Sequence, residues 1–249
     1  MSVISTEVFS SSVAELSAQS VEAVLFDLDG TLIDSVPDLA AAVDFMLQRI
    51  GKAPAGEVKV SRWIGNGVSA LVKRALADSD NGDALHQVTY PNELEDEEYS
   101  SAYSIFEFAY AQRLTQATGL YDGVLSVLTD LNAAEIKLGL ITNKPRCFTL
   151  PLLRALNIQH FFRDVICGDD LEHKKPHPLP VVTALDNLNV CAEQALMVGD
   201  SISDVKSAAA AGVKTVAVTY GYNHGVAITD ESHEVNADVF IDQLKQLLA

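Results

Sequence analysis

The sequence predicts an α/β protein, a parallel sheet covered by helices on both faces and interrupted near its start by a block of helices. Three observations lead there. Short runs rich in Val, Ile and Leu recur after residue 119, each followed by a stretch of helical period. Those runs are apolar at successive positions, as in strands buried on both faces. Between residues 36 and 118 helix signals repeat without a convincing strand among them.

The elements follow in order. Residues 1–20 lack the basic start and long apolar middle of a signal peptide and read as a frayed tail or short helix. Val21 to Phe26 is the first strand, ending in Asp27-Leu28-Asp29-Gly30-Thr31. Pro37 suits the first turn of a helix that the Ala-rich run Leu39 to Ile50 continues, and Gly51 to Gly56 breaks it. Trp63-Ile64-Gly65-Asn66-Gly67 reads as a tight turn before a helix from Val68 to Leu76. The acidic segment Asp78 to Glu98 reads as a surface loop leading into a helix from about Asn92 to Thr118. Beyond it, helices are expected at Val124 to Ala134, Arg146 to Leu156, Pro178 to Leu188 and Asp204 to Ala211. Strands are expected at Lys137 to Thr142, Val165 to Cys167, Ala195 to Gly199, Thr215 to Val218 and Val239 to Ile241, with a closing helix. The division is therefore a tail (1–20), a sheet domain (21–35 and 119–249) and a helical insertion (36–118).

Composition narrows the function. With 17 basic and 34 acidic residues the net charge is -17, which repels nucleic acid and anionic lipid and argues against either as partner. No apolar run is long enough to span a bilayer. The 3 cysteines, Cys147, Cys167 and Cys191, form no CxxC pair, so neither a disulfide framework nor a zinc site is expected; a cytoplasmic protein is.

In open parallel sheets, ligands sit beyond the carboxyl ends of the strands. Four segments fall there: Asp27 and Asp29; Thr142-Asn143-Lys144-Pro145; Lys174-Lys175-Pro176-His177-Pro178; and Gly199-Asp200-Ser201 with Asp204. Singly, these read as a turn, a strand exit, a proline loop and a helix cap. Together they assemble carboxylates that would repel one another without a cation. All-oxygen ligation by three or four of these carboxylates, a carbonyl and waters selects a hard divalent ion, Mg²⁺. A metal, a lysine and a threonine hydroxyl around a free carboxylate make a phosphoryl-transfer site, so the expected partner is a small phosphorylated metabolite, with the chain a monomer or homodimer. Asp27 is the expected nucleophile and Asp29, two residues on and facing the same side, the expected acid/base.

These residues closely resemble the motifs of the haloacid dehalogenase superfamily: Asp27-Leu28-Asp29-Gly30-Thr31, Thr142, Lys175, and Gly199-Asp200-Ser201-Ile202-Ser203-Asp204. The resemblance covers the chain after residue 20. It implies a Rossmann-like core, a helical cap inserted after the first motif, Mg²⁺ dependence and an aspartyl-phosphate intermediate. It also implies Asp27 as nucleophile and metal ligand, Asp29 as acid/base and a metal ligand through its carbonyl, Thr142 and Lys175 as phosphate binders, and Asp200 and Asp204 as carboxylates at the metal. Within the superfamily the chain looks most like the bacterial phosphoglycolate phosphatases, on the strength of Trp63 to Gly67, Thr142 to Pro145 and Lys174 to Pro178. Substrate contacts are then expected from Thr142, Asn143 and Lys175 in the core and from Arg62 and Asn66 in the cap. Trp63 is expected to belong to the cap's own core, and Lys144 and Arg146 to be surface charges near the mouth. Two other functions fit the core motifs: a phosphatase or phosphomutase for another small ester, and a phospho-accepting signalling switch.

Overall fold

The computed structural model describes residues 21–78, 97–230, 233 and 236–248. The expected tail and most of the acidic segment Asp78 to Glu98 lie outside the described residues.

β1 (Ala23–Phe26) is four apolar residues, all buried. The chain then turns through Leu28 to Leu32 into β2 (Ile33–Asp34) and α1 (Val36–Arg49), which carries Pro37 in its first turn and Arg49 in its last. α2 (Glu57–Trp63), α3 (Val68–Ala77) and α4 (Glu97–Ala111) follow. β3 (Gly119–Leu120) pairs antiparallel with β2, so the chain re-enters the sheet domain beside the point where it left. The rest alternates: α5 (Val124–Ala133), β4 (Lys137–Ile141), α6 (Arg146–Ala155), β5 (Asp164–Ile166), α7 (Leu179–Leu188), β6 (Ala195–Gly199), α8 (Ile202–Ala210), β7 (Lys214–Val218) and β8 (Val239–Ile241).

Six strands form one parallel sheet in the order β5-β4-β1-β6-β7-β8. β1 lies between β4 and β6, the place where the winding reverses and where ligands bind in such sheets. Side chains alternate across it. Val24 and Phe26 face a core shared with Val127, Leu128 and Leu131 of α5. Ala23 and Leu25 face Val181, Leu185 and Leu188 of α7 and Ala208 of α8. Burying each large apolar side chain contributes about 1.5–3 kcal/mol. Gly139 on β4 makes room for Leu25, whose Cδ2 would lie 2.7 Å from an added Cβ.

The inserted helices bury their apolar faces against one another. Met46, Trp63, Val72, Phe106 and Tyr110 are each at most 1% exposed in a cluster separate from those of the sheet. Phe148 of α6 joins it, its ring edge-on to Tyr110 at 5.0 Å, and so ties cap to core. Trp63 is thus a cap-core residue, as expected.

Several expectations need correction. The helix expected to reach Thr118 ends at Ala111. Asp38 of α1 explains this: its Oδ2 accepts the N–H groups of Ala117 (2.9 Å) and Thr118 (2.7 Å) and the Thr118 hydroxyl (2.8 Å), so those amides do not extend the helix. α2 and the β2–β3 pair were not expected, because seven- and two-residue elements carry too little periodicity to read. α8 starts at Ile202, two residues before the expected position, because Ser201 and Asp204 form a capping box. The closing helix is a single 3₁₀ turn, Leu244–Leu247. No helix among the described residues is long and apolar enough to cross a membrane.

Candidate active site

The turn after β1 sets the site. Gly30 N–H donates to Ile33 O (2.9 Å) and Leu32 N–H to Leu28 O (2.9 Å), closing a tight loop that leaves Asp27 at the end of the strand, 8% exposed. Gly30 has φ +90°, and a Cβ there would stand 2.3 Å from Oδ2 of Asp200. Glycine is needed both for the left-handed backbone and for the approach of that carboxylate. Gly221 does the same from the opposite side, where an added Cβ would meet the Asp200 Cβ at 2.1 Å. Asp200 at the end of β6 is held between them, accepting the Thr31 hydroxyl (3.0 Å) and the Tyr222 N–H (2.8 Å).

Asp204 sits in the first turn of α8. Its Oδ2 accepts Ser201 N–H (3.0 Å) and Oγ–H (2.7 Å), and its Oδ1 accepts Lys175 Nζ (2.7 Å). The same ammonium donates to Asp27 Oδ1 (2.6 Å) and to Ile141 O (2.5 Å). Carboxylate oxygens of Asp27, Asp200 and Asp204 lie within 4.8 Å of one another.

The electrostatics follow from burial. Desolvation pushes the Asp27 carboxyl well above its usual range; Lys175 opposes the rise, and Asp204 and Asp200 add to it. Burial, then the charge of Asp204, pushes Asp200 up to about 7, against the Tyr222 and Thr31 hydrogen bonds. Burial alone would lower the Lys175 ammonium's pKa, but Asp204 and Asp27 overcome this and raise it. The cluster thus carries more negative charge than one lysine compensates. Hard oxygen donors this close, with burial and then neighbouring charge raising the Asp27 and Asp200 pKa values, fit a divalent cation such as Mg²⁺.

Asp29 lies apart from that trio. Its Oδ1 accepts the Ser35 hydroxyl and the Lys144 ammonium, the latter at 2.8 Å. Thr142 is 3% exposed and accepts Lys144 N–H at 3.1 Å. Asn143 donates its side-chain amide to Lys175 O (2.9 Å), which fixes the loop that carries the lysine. From the cap, Asn66 Oδ1 accepts the Ser203 hydroxyl (3.1 Å), bridging to α8. Asn66 (φ 61°) stands between Gly65 and Gly67, which also have positive φ, and a Cβ on Gly67 would press on Asn143 O at 2.8 Å. The turn therefore seats closely on the core.

A cavity of about 70 Å³ opens between these parts. Asp27, Asp29, Thr142, Asn143, Lys175, Asp200 and Asn66 all line it, and Leu39, Ile64, Val68 and Leu71 supply an apolar wall from the cap. Arg62 does not line it. It is exposed on α2, with its stem over Gly225.

Sequence reasoning missed three contributors. Lys144, expected as a surface charge, is 4% exposed and lines the cavity. Burial would lower its pKa, but Asp29 and then Tyr110 more than reverse this and raise it. Tyr222 donates its N–H to Asp200 and its hydroxyl to Asp34 (2.8 Å), and the hydroxyl accepts Ser35 N–H (3.0 Å), linking the carboxylate cluster to the start of the insertion. Ser35 reaches Asp29 by a short local step. Lys144 stood beside a recognised motif and could have been noticed; nothing in the sequence marks Tyr222. Arg146, also expected near the mouth, pairs with Asp170 and donates to Val165 O (2.8 Å).

Comparison with known proteins identifies relatives of the chain. Residues 24–218 match the family model for haloacid dehalogenase-like hydrolases. The chain is 44% identical over 228 residues to a phosphoglycolate phosphatase of Nitrosococcus oceani, covering 92% of this chain and 96% of that protein. It is 46% identical over 226 residues to one from Pseudomonas putida, covering 90% and 78%. A crystal structure described as a predicted phosphoglycolate phosphatase from Haemophilus somnus superposes with TM-score 0.79 at 32% identity, covering 91% of this chain and 96% of that one.

Proposed function

Because the chain belongs to the haloacid dehalogenase-like hydrolases and is a phosphoric monoester hydrolase, we propose that it converts 2-phosphoglycolate to glycolate and phosphate through a phosphoaspartate at Asp27. The observation that carries the substrate assignment is the extent of the likeness to relatives bearing that name. It runs through the helical insertion, read here as a cap over residues 36–118, as well as through the motifs.

Asp27, Asp200 and Asp204, with the backbone carbonyl of Asp29, would hold Mg²⁺. The bound ion supplies charge neutralisation at the phosphoryl oxygens and lets a carboxylate approach an anion. The remaining work falls to the chain. Lys175 and the Thr142 hydroxyl bind the phosphoryl group. A carboxylate oxygen of Asp27 attacks phosphorus as the P–O bond to the glycolate oxygen breaks. Asp29 gives its proton to the leaving alkoxide, then takes one from the water that attacks phosphorus in the second step, which returns Asp27 as a carboxylate and releases phosphate. Such proton transfers are worth ~10²–10⁴-fold in rate. The apolar wall of Leu39, Ile64, Val68 and Leu71 supports the reading by keeping other water from the intermediate. The free thiols of Cys147, Cys167 and Cys191 support a cytoplasmic setting.

A panel of small phosphate esters assayed with Mg²⁺ tests the proposal. The expected result is the highest kcat/KM for 2-phosphoglycolate, with phosphate released at every turnover. A higher value for another ester overturns the substrate, an isomerised ester as product would mean a mutase, and a lasting stoichiometric phosphoprotein would mean a switch.

A further inference from the structure

We propose that Lys144 is the specificity-determining residue of this site: it is the receptor for a second anionic group, a carboxylate, on the substrate. The inference rests on the phosphatase reading above and deepens it.

A substrate with both a phosphate and a carboxylate needs two separate sources of positive potential. Among the described residues lining the cavity, the cations are Lys175 and Lys144. Lys175 already donates to Asp27, Asp204 and Ile141 O, deep beneath the phosphoryl position. Arg62, the cap arginine that the sequence suggests, lies outside the cavity. Lys144 is left. Its ammonium is 2.8 Å from Asp29 Oδ1 and 4.9 Å from the centre of the Tyr110 ring of the cap.

That position suits the chemistry. Asp29 is the group that meets the ester oxygen, so the leaving group lies against it. In a 2-phospho carboxylic acid the carboxyl carbon is two bonds from that oxygen. The ammonium bonded to Asp29 is therefore the next group such a substrate meets. An ammonium has three N–H donors, and Asp29 accepts one of them. The Tyr110 ring beneath it fixes the charge on the cap side by cation–π attraction. The buried Tyr110 side chain thus holds the ammonium from the cap side and, with Asp29, keeps it charged. The apolar wall lowers the local dielectric and strengthens pairing of the ammonium with an incoming carboxylate.

The test compares two esters of the same shape, 2-phosphoglycolate and ethyl phosphate, in which a methyl group replaces the carboxylate. Wild-type enzyme is expected to favour 2-phosphoglycolate strongly in kcat/KM. Lys144→Met lowers kcat/KM for both esters, because the lysine also contacts Asp29, but the ratio between them falls by roughly 10- to 100-fold, the worth of a charge-assisted hydrogen bond. Lys144→Arg keeps a larger part of the ratio than Lys144→Met. Lys144→Gln, which retains a donor toward Asp29, carries the same test if the methionine variant does not fold. A ratio that survives in Lys144→Met or Lys144→Gln overturns the receptor and leaves the phosphatase reading standing, as does a ratio that collapses in Arg62→Ala instead. A wild-type enzyme with no preference between the two esters overturns the receptor and the substrate assignment together.

Discussion

Asp38→Ala should cost the fold several kcal/mol, although Asp38 does not line the cavity. Asp38 is 2% exposed at the start of α1, and its Oδ2 gathers three donors from the segment that returns from the insertion to the sheet. Ala117 is exposed, so its N–H regains water when the carboxylate is removed. Thr118 is only 6% exposed, and its N–H and hydroxyl would be left buried without that acceptor. Each of these two losses costs about 1–3 kcal/mol, which sums to roughly 2–6 kcal/mol. For a chain of this size that corresponds to a fall in Tm of roughly 4–24 °C. Urea titration and thermal melts of wild type and variant, read by circular dichroism, measure it. Asp38→Asn, which keeps one carbonyl acceptor, should lose less. A loss below ~1 kcal/mol in Asp38→Ala would refute the claim that this carboxylate clasps the two crossings between cap and core.

Two further predictions concern the chemistry. Asp29→Asn should lower kcat by ~10²–10⁴-fold while phosphate binding, followed as product inhibition, changes far less; an unchanged kcat removes its acid/base role. Mg²⁺ should raise Tm more at about pH 7.5 than at about pH 5, because cation binding must displace the protons that the raised Asp27 and Asp200 carboxyls still hold at the lower pH. The sign follows from linkage: in the metal-free protein these groups bind protons more tightly folded than unfolded, so their contribution to stability falls as pH rises from about 4 towards 7. A Mg²⁺ effect that is equal at both values, or larger at the lower one, contradicts the cluster as the cation site.

The parts legible in the sequence were those written in a local pattern. Apolar runs ending in Asp27, Thr142 and Asp200 identified the strands and the edge where they open, because a parallel strand covered on both faces has few other readings. The glycines around Asn66 could be read as a turn, though their seat against Asn143 O could not. What escaped was non-local. Asp38 stops α4 short from 80 positions away along the chain, and no window of residues 97–118 reveals that. Tyr222 touches Asp200 and Asp34 from a loop with no motif of its own. Lys144 read as a solvated lysine because its partners, Asp29 and Tyr110, come from the first motif and from the cap. Arg62 failed in the opposite direction: its charge suggested a substrate contact, but the register of α2 turns it out over Gly225.

The central claim is that Asp27 carries the phosphoryl group. Wild-type enzyme should be mixed with Mg²⁺ and 2-phosphoglycolate, quenched in acid within one turnover and digested for mass spectrometry. The account predicts one phosphoryl group on the peptide containing Asp27, appearing with substrate, decaying over time and absent from the Asp27→Asn variant. Phosphate release without any label on Asp27, or a label on another residue, would contradict it.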